Sequence, residues 1–222
     1  MSPLVPDTSF HIYNHANGFE NVFKEAENYR FFLEKYQLHI SPIAETYAYC
    51  LMPNHFHLVV RIRKREVIEN LIKNKNFSLQ ANTSKVQNFG SVSDNEIEKF
   101  LSKQFANLFS SYTQSFNKVY HRMGSLFIKN FKREPINDKT HFLNAIIYTH
   151  RNPIHHGFCK SFEEWPHSSY PGIIYGVESI VETDKMLKMV GNIDDFIEMH
   201  KVNLIRFESK TNLEIPDHYF KI

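Results

Sequence analysis

Cysteine is nearly missing from this chain. Cys50 and Cys159 are the two among 222 residues, too few for a disulfide framework and without the C-x-x-C spacing of a thiolate metal site. Both read as buried thiols in a reducing compartment. Long apolar runs are missing as well: no stretch approaches the roughly eighteen residues of a membrane span, and the opening MSPLVPDTSF lacks a basic segment followed by an apolar one. The expected setting is therefore the cytoplasm, with no membrane partner. Strong charge of one sign is also absent. Twenty-six basic against 24 acidic residues give a net charge of +2 and a pI near 8.4, so any nucleic-acid role must rest on local clusters. No internal repeat is visible. With 42% hydrophobic residues, the chain is long enough for one substantial core with additions.

The stretch YAYCLMPNHFHLVVRI, residues 47–62, is the most informative. Its β-branched and aromatic residues predict a buried strand. Residues i and i+2 of a strand share a face, so His55 and His57 project together while Phe56 enters the opposite layer. Two imidazoles on one face make half of a metal site, although most histidines in proteins are surface or hydrogen-bonded core residues. Met52-Pro53-Asn54 supplies a turn, so residues 45–51 and 55–62 are expected to pair as antiparallel strands.

Around this pair the sequence predicts a first strand at 10–14, an amphipathic helix at 22–36, a long helix at 95–121, a fourth strand at 125–131 and a helix at 140–151 that ends or kinks at Asn152-Pro153. Residues 76–94 are polar and read as an exposed loop. This order predicts an α+β fold, a ferredoxin-like antiparallel sheet with helices packed on it. Residues 1–158 would form the core domain, and residues 159–222 a C-terminal helical extension with one or two short helices between 179 and 200.

Four of the five residues from 61 to 65 are basic, Arg61 and Arg63 among them. Between 117 and 133 lie Lys118, Arg122, Lys129, Lys132 and Arg133, with no acid and with Tyr120, Phe127 and Phe131 interleaved. Such a segment suits a phosphate backbone with bases stacked alongside, and equally a solvated helix end. Tyr112 and Tyr120 fall on or beside the apolar stripe of the long helix and read as core packing. Tyr148 and Asn152, four apart, share a helix face; His150 points elsewhere.

Met52-Pro53-Asn54-His55-Phe56-His57-Leu58, Tyr148-x-x-x-Asn152-Pro153 with Gly157, and Trp165-Pro166-x-Ser168-Ser169-Tyr170 occur in that order. Together they resemble the single-tyrosine HUH transposases, most of all the REP-associated tyrosine transposases. The resemblance implies a single-stranded DNA endonuclease and strand transferase. Tyr148 would be the nucleophile, and His55, His57 and Asn152 would hold a divalent metal, Mg²⁺ or Mn²⁺. It also implies single-stranded or hairpin DNA as partner and a monomer or homodimer. Arg61, Arg63, Lys118, Arg122, Lys129, Lys132, Arg133 and Arg151 are the candidate DNA contacts. His121, His155 and His156 stand as surface or DNA-proximal residues. Ile154-His155-His156 after Asn152-Pro153, and the long polar stretch at 76–94, depart from the pattern.

The residue types suit phosphodiester cleavage on their own terms. A divalent cation polarises non-bridging oxygens, and neutral nitrogen ligands suit Mn²⁺ better than Mg²⁺. A tyrosine with a reference pKa near 10 needs activation at neutral pH. Two rival readings remain: a catalytically idle protein that binds DNA hairpins, and a nucleotide hydrolase of the histidine-triad kind. The latter would need a third alternating histidine where Val59 stands.

Overall fold

The computed structural model describes residues 2–80, 91–177 and 179–209, with backbone alone at 75–80 and 204–209. In chain order it comprises β1 (Ser9–His15), α1 (Ala26–His39), β2 (Ala44–Met52), β3 (His55–Ile62), α2 (Arg65–Gln80), α3 (Asp94–Val119), β4 (Lys132–Ile136) and α4 (Lys139–His155). A 3-10 turn (Phe162–Glu164), α5 (Ser169–Ile174), α6 (Thr183–Val190) and α7 (Ile193–Ser209) complete it. The sheet runs β2-β3-β1-β4 with every neighbouring pair antiparallel. This is the expected ferredoxin-like α+β arrangement, extended by α2 and the C-terminal helices.

Alternation along the strands divides the chemistry between two faces. Phe56 of β3 packs against Phe32 of α1 and Phe109 of α3, with ring centroids 5.3 and 5.8 Å apart, so α1 and α3 cover one face. His57, one residue on, meets Tyr148 of α4 across the other face at 5.4 Å. The apolar layer thus lies behind the sheet, and the titratable layer lies under α4. Edge strand β2 is covered by the segment that follows α4. His167 O accepts from Leu51 N at 2.9 Å, Trp165 Nε1 donates to Leu51 O at 3.1 Å, and Ser169 Oγ accepts from Tyr49 N at 2.9 Å. The Trp165–Tyr170 block therefore protects an otherwise open row of backbone groups. Phe162, Tyr170, Ile173, Met186 and Phe196 of the extension join the same buried cluster as the sheet.

Four expectations change. The first helix starts at Ala26 rather than 22, because Asn28 Oδ1 accepts from the amides of Lys24 and Glu25 and caps it there. Phe23 N is meanwhile tied to Pro53 O at 3.0 Å, although Val22 and Phe23 are buried as a helix face would be. The fourth strand is Lys132–Ile136, not 125–131. Leu126 and Phe127 are buried, yet Asn130 takes φ +68° and stops any extended run before Phe131. The polar strand after it tolerates Pro135 because β4 is an edge strand. The helix at 140–151 continues to His155 with Pro153 inside, losing one rung rather than ending. Finally, α2 reaches Gln80, inside the stretch read as a loop; residues 81–90 of that stretch and 210–222 of the extension lie outside the described residues.

Candidate active site

β3 emerges from the two-residue turn Pro53-Asn54 and sends His55 and His57 to the α4 face. β1 lies antiparallel beside it, so its alternating His11, Tyr13 and His15 share that face, with Tyr13 opposite His57 and His15 opposite His55. His15 stacks on His55 at 4.7 Å, His11 on His57 at 5.1 Å and Tyr13 on His57 at 5.5 Å. From above, Asp138 caps α4 by accepting from His141 N, and one turn of the helix brings Tyr148 and Asn152 down together. The Tyr148 ring stands edge-on to His57 at 5.4 Å and to His11 at 5.7 Å. Asn152 Oδ1 lies 3.0 Å from His55 Nε2. His156, past the end of α4, sits with its ring 5.2 Å from that of His55.

Burial controls the protonation of this layer. Desolvation pushes His55 down to about 3 and His11 to about 4, and drives His57 well below its ordinary value, with neighbouring imidazoles adding to the effect. All three are neutral at pH 7, the form in which imidazole can ligate a metal. Tyr148 is raised from 10 by burial, while a hydrogen bond from Asn152 and the charge of Arg151 pull the other way and Glu134 adds to the rise. Tyr13 donates to Glu134 Oε1 at 3.0 Å.

The hydrogen-bond pattern of His55 tests whether these residues fit a cation. A neutral imidazole has one N–H. Nδ1 faces Asn54 Oδ1 at 2.8 Å and Nε2 faces Asn152 Oδ1 at 3.0 Å, so two acceptors compete for that single donor. With Asn152 donating its amide toward Tyr148, its oxygen is fixed toward His55. Once Nδ1–H goes to Asn54, two lone pairs face each other. Donors bound at ~2.1 Å and at right angles around a metal stand about 3.0 Å apart, the separation found here. On the other histidine, Nδ1 is paired with His11 Nε2 at 3.0 Å, the support from a neighbouring group that metal-binding imidazoles commonly have. His55 Nε2 and the Asn152 amide oxygen thus fit two donors to one divalent cation, and His57 shares their face with its ring centroid 5.3 Å from that of His55. Among the described residues no three His, Cys, Asp or Glu side chains form such a group without the amide.

The eight basic candidates separate. Arg61 is paired with Asp7 at 2.9 Å, and Arg63 with Glu45 and Glu182 at 3.7 and 3.8 Å, at the end of β3 remote from His55. Arg122 is held by Glu20 and donates to the carbonyls of Gly124 and Ser125. Lys132, opposite Tyr13, is on the site's face; Arg133, opposite Ile12, is behind the sheet and bonded to Glu98 and Ser102. Arg151 is buried. Lys118, Lys129 and Lys132 are exposed and make no ion pair among the described residues. Tyr112 lies behind the sheet, donating to Val22 O at 2.5 Å, and Tyr120 is bonded to Asn28 Oδ1 at 3.1 Å. Both are packing residues, as read. The residues that sequence reasoning missed are His11, His15 and Asn54. The alternation FHIYNH was visible, but its pairing with β3 was not.

No protein-family model matches the chain. A Haemophilus influenzae protein, provisionally described as a REP-associated tyrosine transposase, is 22% identical over 166 residues, 73% of each chain. A solved structure of a REP-associated tyrosine transposase bound to a REP hairpin superposes with a TM-score of 0.50 at 14% identity, covering 81% of this chain and 90% of the other. This chain resembles the REP-associated tyrosine transposases. The structural match carries the fold, and the sequence match carries the resemblance. No described helix is long and apolar enough to cross a membrane.

Proposed function

We propose that this protein cleaves and rejoins single-stranded DNA through Tyr148, as a transposase of the kind it resembles would. The observation that supports it is the convergence of two spacings: His55 and His57, two apart on β3, and Tyr148 and Asn152, four apart on α4, with Asn152 Oδ1 3.0 Å from His55 Nε2. The Tyr148 oxygen attacks the phosphorus of a phosphodiester and the bond to O3′ breaks. The products are a 5′-phosphotyrosine and a free 3′-hydroxyl, and the phenolic proton ends on O3′. Phosphoester energy is retained in the linkage, so attack by a 3′-hydroxyl reverses the step without a nucleotide cofactor. A divalent ion held by His55, His57 and Asn152 would supply polarisation of a non-bridging phosphate oxygen. The chain's residues do the rest. Asn152 donates to the Tyr148 oxygen, and Arg151 favours the phenolate electrostatically. His11 and Asn54 orient the two histidines, and α4 shields the site from water.

The DNA this site would take is single-stranded or hairpin, approached from the face that carries Lys132. Incubating the protein with oligonucleotides from its flanking genomic sequence and Mn²⁺ or Mg²⁺ tests the reading. Site-specific nicks with protein attached to the 5′ end support it. Tight hairpin binding with no nick under any metal would favour the idle binder instead.

A further inference from the structure

Beyond the candidate active site lies a second buried polar chain. His150, on α4 midway between Tyr148 and Asn152, puts Nδ1 2.9 Å from His200 Nε2 of α7 and Nε2 2.7 Å from Ser169 Oγ of α5. His200 Nδ1 lies 2.8 Å from Phe196 O, and Ser169 Oγ accepts from Tyr49 N of β2. All three side chains are at most 1% exposed. Phe162, Tyr170 and Phe196 box in the imidazoles, with ring centroids 4.3 to 6.0 Å away.

The direction of every bond follows from one end. A carbonyl only accepts, so His200 Nδ1 carries the proton and donates to Phe196 O. A neutral His200 then accepts at Nε2, which makes His150 Nδ1 the donor and His150 Nε2 an acceptor for the Ser169 hydroxyl. Ser169 in turn accepts from the Tyr49 amide. One set of tautomers satisfies both imidazoles and the hydroxyl, whose single hydrogen goes to His150 Nε2 at 2.7 Å rather than to the Tyr49 carbonyl at 3.3 Å, the condition under which a buried network specifies one arrangement. It joins β2, α5, α4 and α7, elements up to 151 residues apart in the chain (Tyr49 to His200).

His150 is on the opposite side of α4 from the reacting groups. At 3.6 residues per turn, positions two apart are about 200° apart around the axis, whereas Tyr148 and Asn152 differ by only about 40°. Anchoring His150 therefore sets the rotation of α4. With the phenol oxygen roughly 8 Å from the helix axis, a turn of about 10° moves it by roughly 1.4 Å. A misplacement of about 1 Å costs on the order of 100-fold in rate.

We propose that Ser169, His150 and His200 form a positioning relay that sets the rotation of α4 and thereby the placement of Tyr148 and Asn152. The C-terminal segment thus works as part of the site. The inference rests on the Tyr148 reading for its rate consequence, but not for its structural one.

The test pairs two substitutions. His200→Met keeps volume and removes the acceptor; His200→Gln restores an acceptor, the amide oxygen, near the place of Nε2. At saturating oligonucleotide, His200→Met is expected to lower the single-turnover rate of adduct formation about 100-fold with unchanged oligonucleotide affinity, and His200→Gln to recover most of it. Backbone amide resonances of α4 in the free protein should shift in His200→Met and return in His200→Gln. A His200→Met protein that loses thermal stability yet keeps the wild-type rate and α4 resonances would overturn the relay. If it does not fold, Ser169→Ala cuts the chain at its other end and is expected to give the same rate loss and shifts; wild-type behaviour there overturns it equally. Should wild-type protein form no adduct, the α4 resonances still decide the relay, and only the Tyr148 reading fails.

Discussion

Replacing Asn152 with Leu removes the one amide oxygen in the proposed metal set at nearly constant volume. The side chain is 2% exposed, so the new methyl groups gain burial while Tyr148 loses a hydrogen bond worth roughly 1 kcal/mol. The two effects oppose each other, and metal-free stability should change little. Metal-dependent stability should change much more. Losing one of three protein donors is expected to weaken binding about 100-fold, the upper end of what even supporting residues contribute. At Mn²⁺ equal to 100 times the wild-type Kd, linkage stabilises the wild type by ~2.7 kcal/mol but a variant with 100-fold weaker binding by only ~0.4 kcal/mol. For a chain of this length ~1 kcal/mol moves Tm by ~2–4 °C. Thermal unfolding with and without Mn²⁺ should therefore show a shift of about 5–11 °C for wild type and about 1–2 °C for Asn152→Leu. Equal shifts in the two proteins would refute the assignment of Asn152 as a donor.

His57→Ala should lose Mn²⁺ binding and cleavage together, read by calorimetric titration and nicking, since a ligand goes while Tyr148 stays. Lys132→Gln should flatten the salt dependence of oligonucleotide binding by about 0.7 in log–log slope, one single-strand phosphate contact, whereas Arg133→Gln, already paired with Glu98 behind the sheet, should leave the slope unchanged. Acid should destabilise the fold early. His11 and His200 are held down to about 4 from 6.5 by burial, so the unfolded chain binds more protons between those values and stability falls as pH drops through that window. Each contributes up to roughly 3 kcal/mol at pH 4; a Tm that stays flat from pH 7.5 to 4.5 would contradict this.

The parts of the site legible in the sequence were those set by local periodicity. Two residues apart on a strand and four apart on a helix fix a shared face whatever the rest of the chain does, so His55 with His57 and Tyr148 with Asn152 could be read directly. What depended on pairing across the chain could not. His11 and His15 reach the site only because β1 lies beside β3 in register. The stretch 125–131 looked like a strand by composition, but the left-handed backbone of Asn130 moved the strand to Lys132–Ile136. That shift also split the basic cluster, since adjacent strand residues Lys132 and Arg133 point to opposite faces. His150 and His200 carry no local signal at all, being fifty residues apart and joined only by the packing of α7 on α4.

The central claim is that Tyr148 becomes covalently attached to DNA, and mapping the attached residue addresses it most directly. Protein is trapped with a single-stranded oligonucleotide and Mn²⁺, digested, and the DNA-linked peptide sequenced by mass spectrometry, with Tyr148→Phe and Tyr112→Phe in parallel. The account predicts a phosphotyrosyl linkage at Tyr148, no adduct from Tyr148→Phe and undiminished adduct from Tyr112→Phe, because that ring packs behind the sheet. An adduct on another residue, or one that persists in Tyr148→Phe at the wild-type rate, would contradict it.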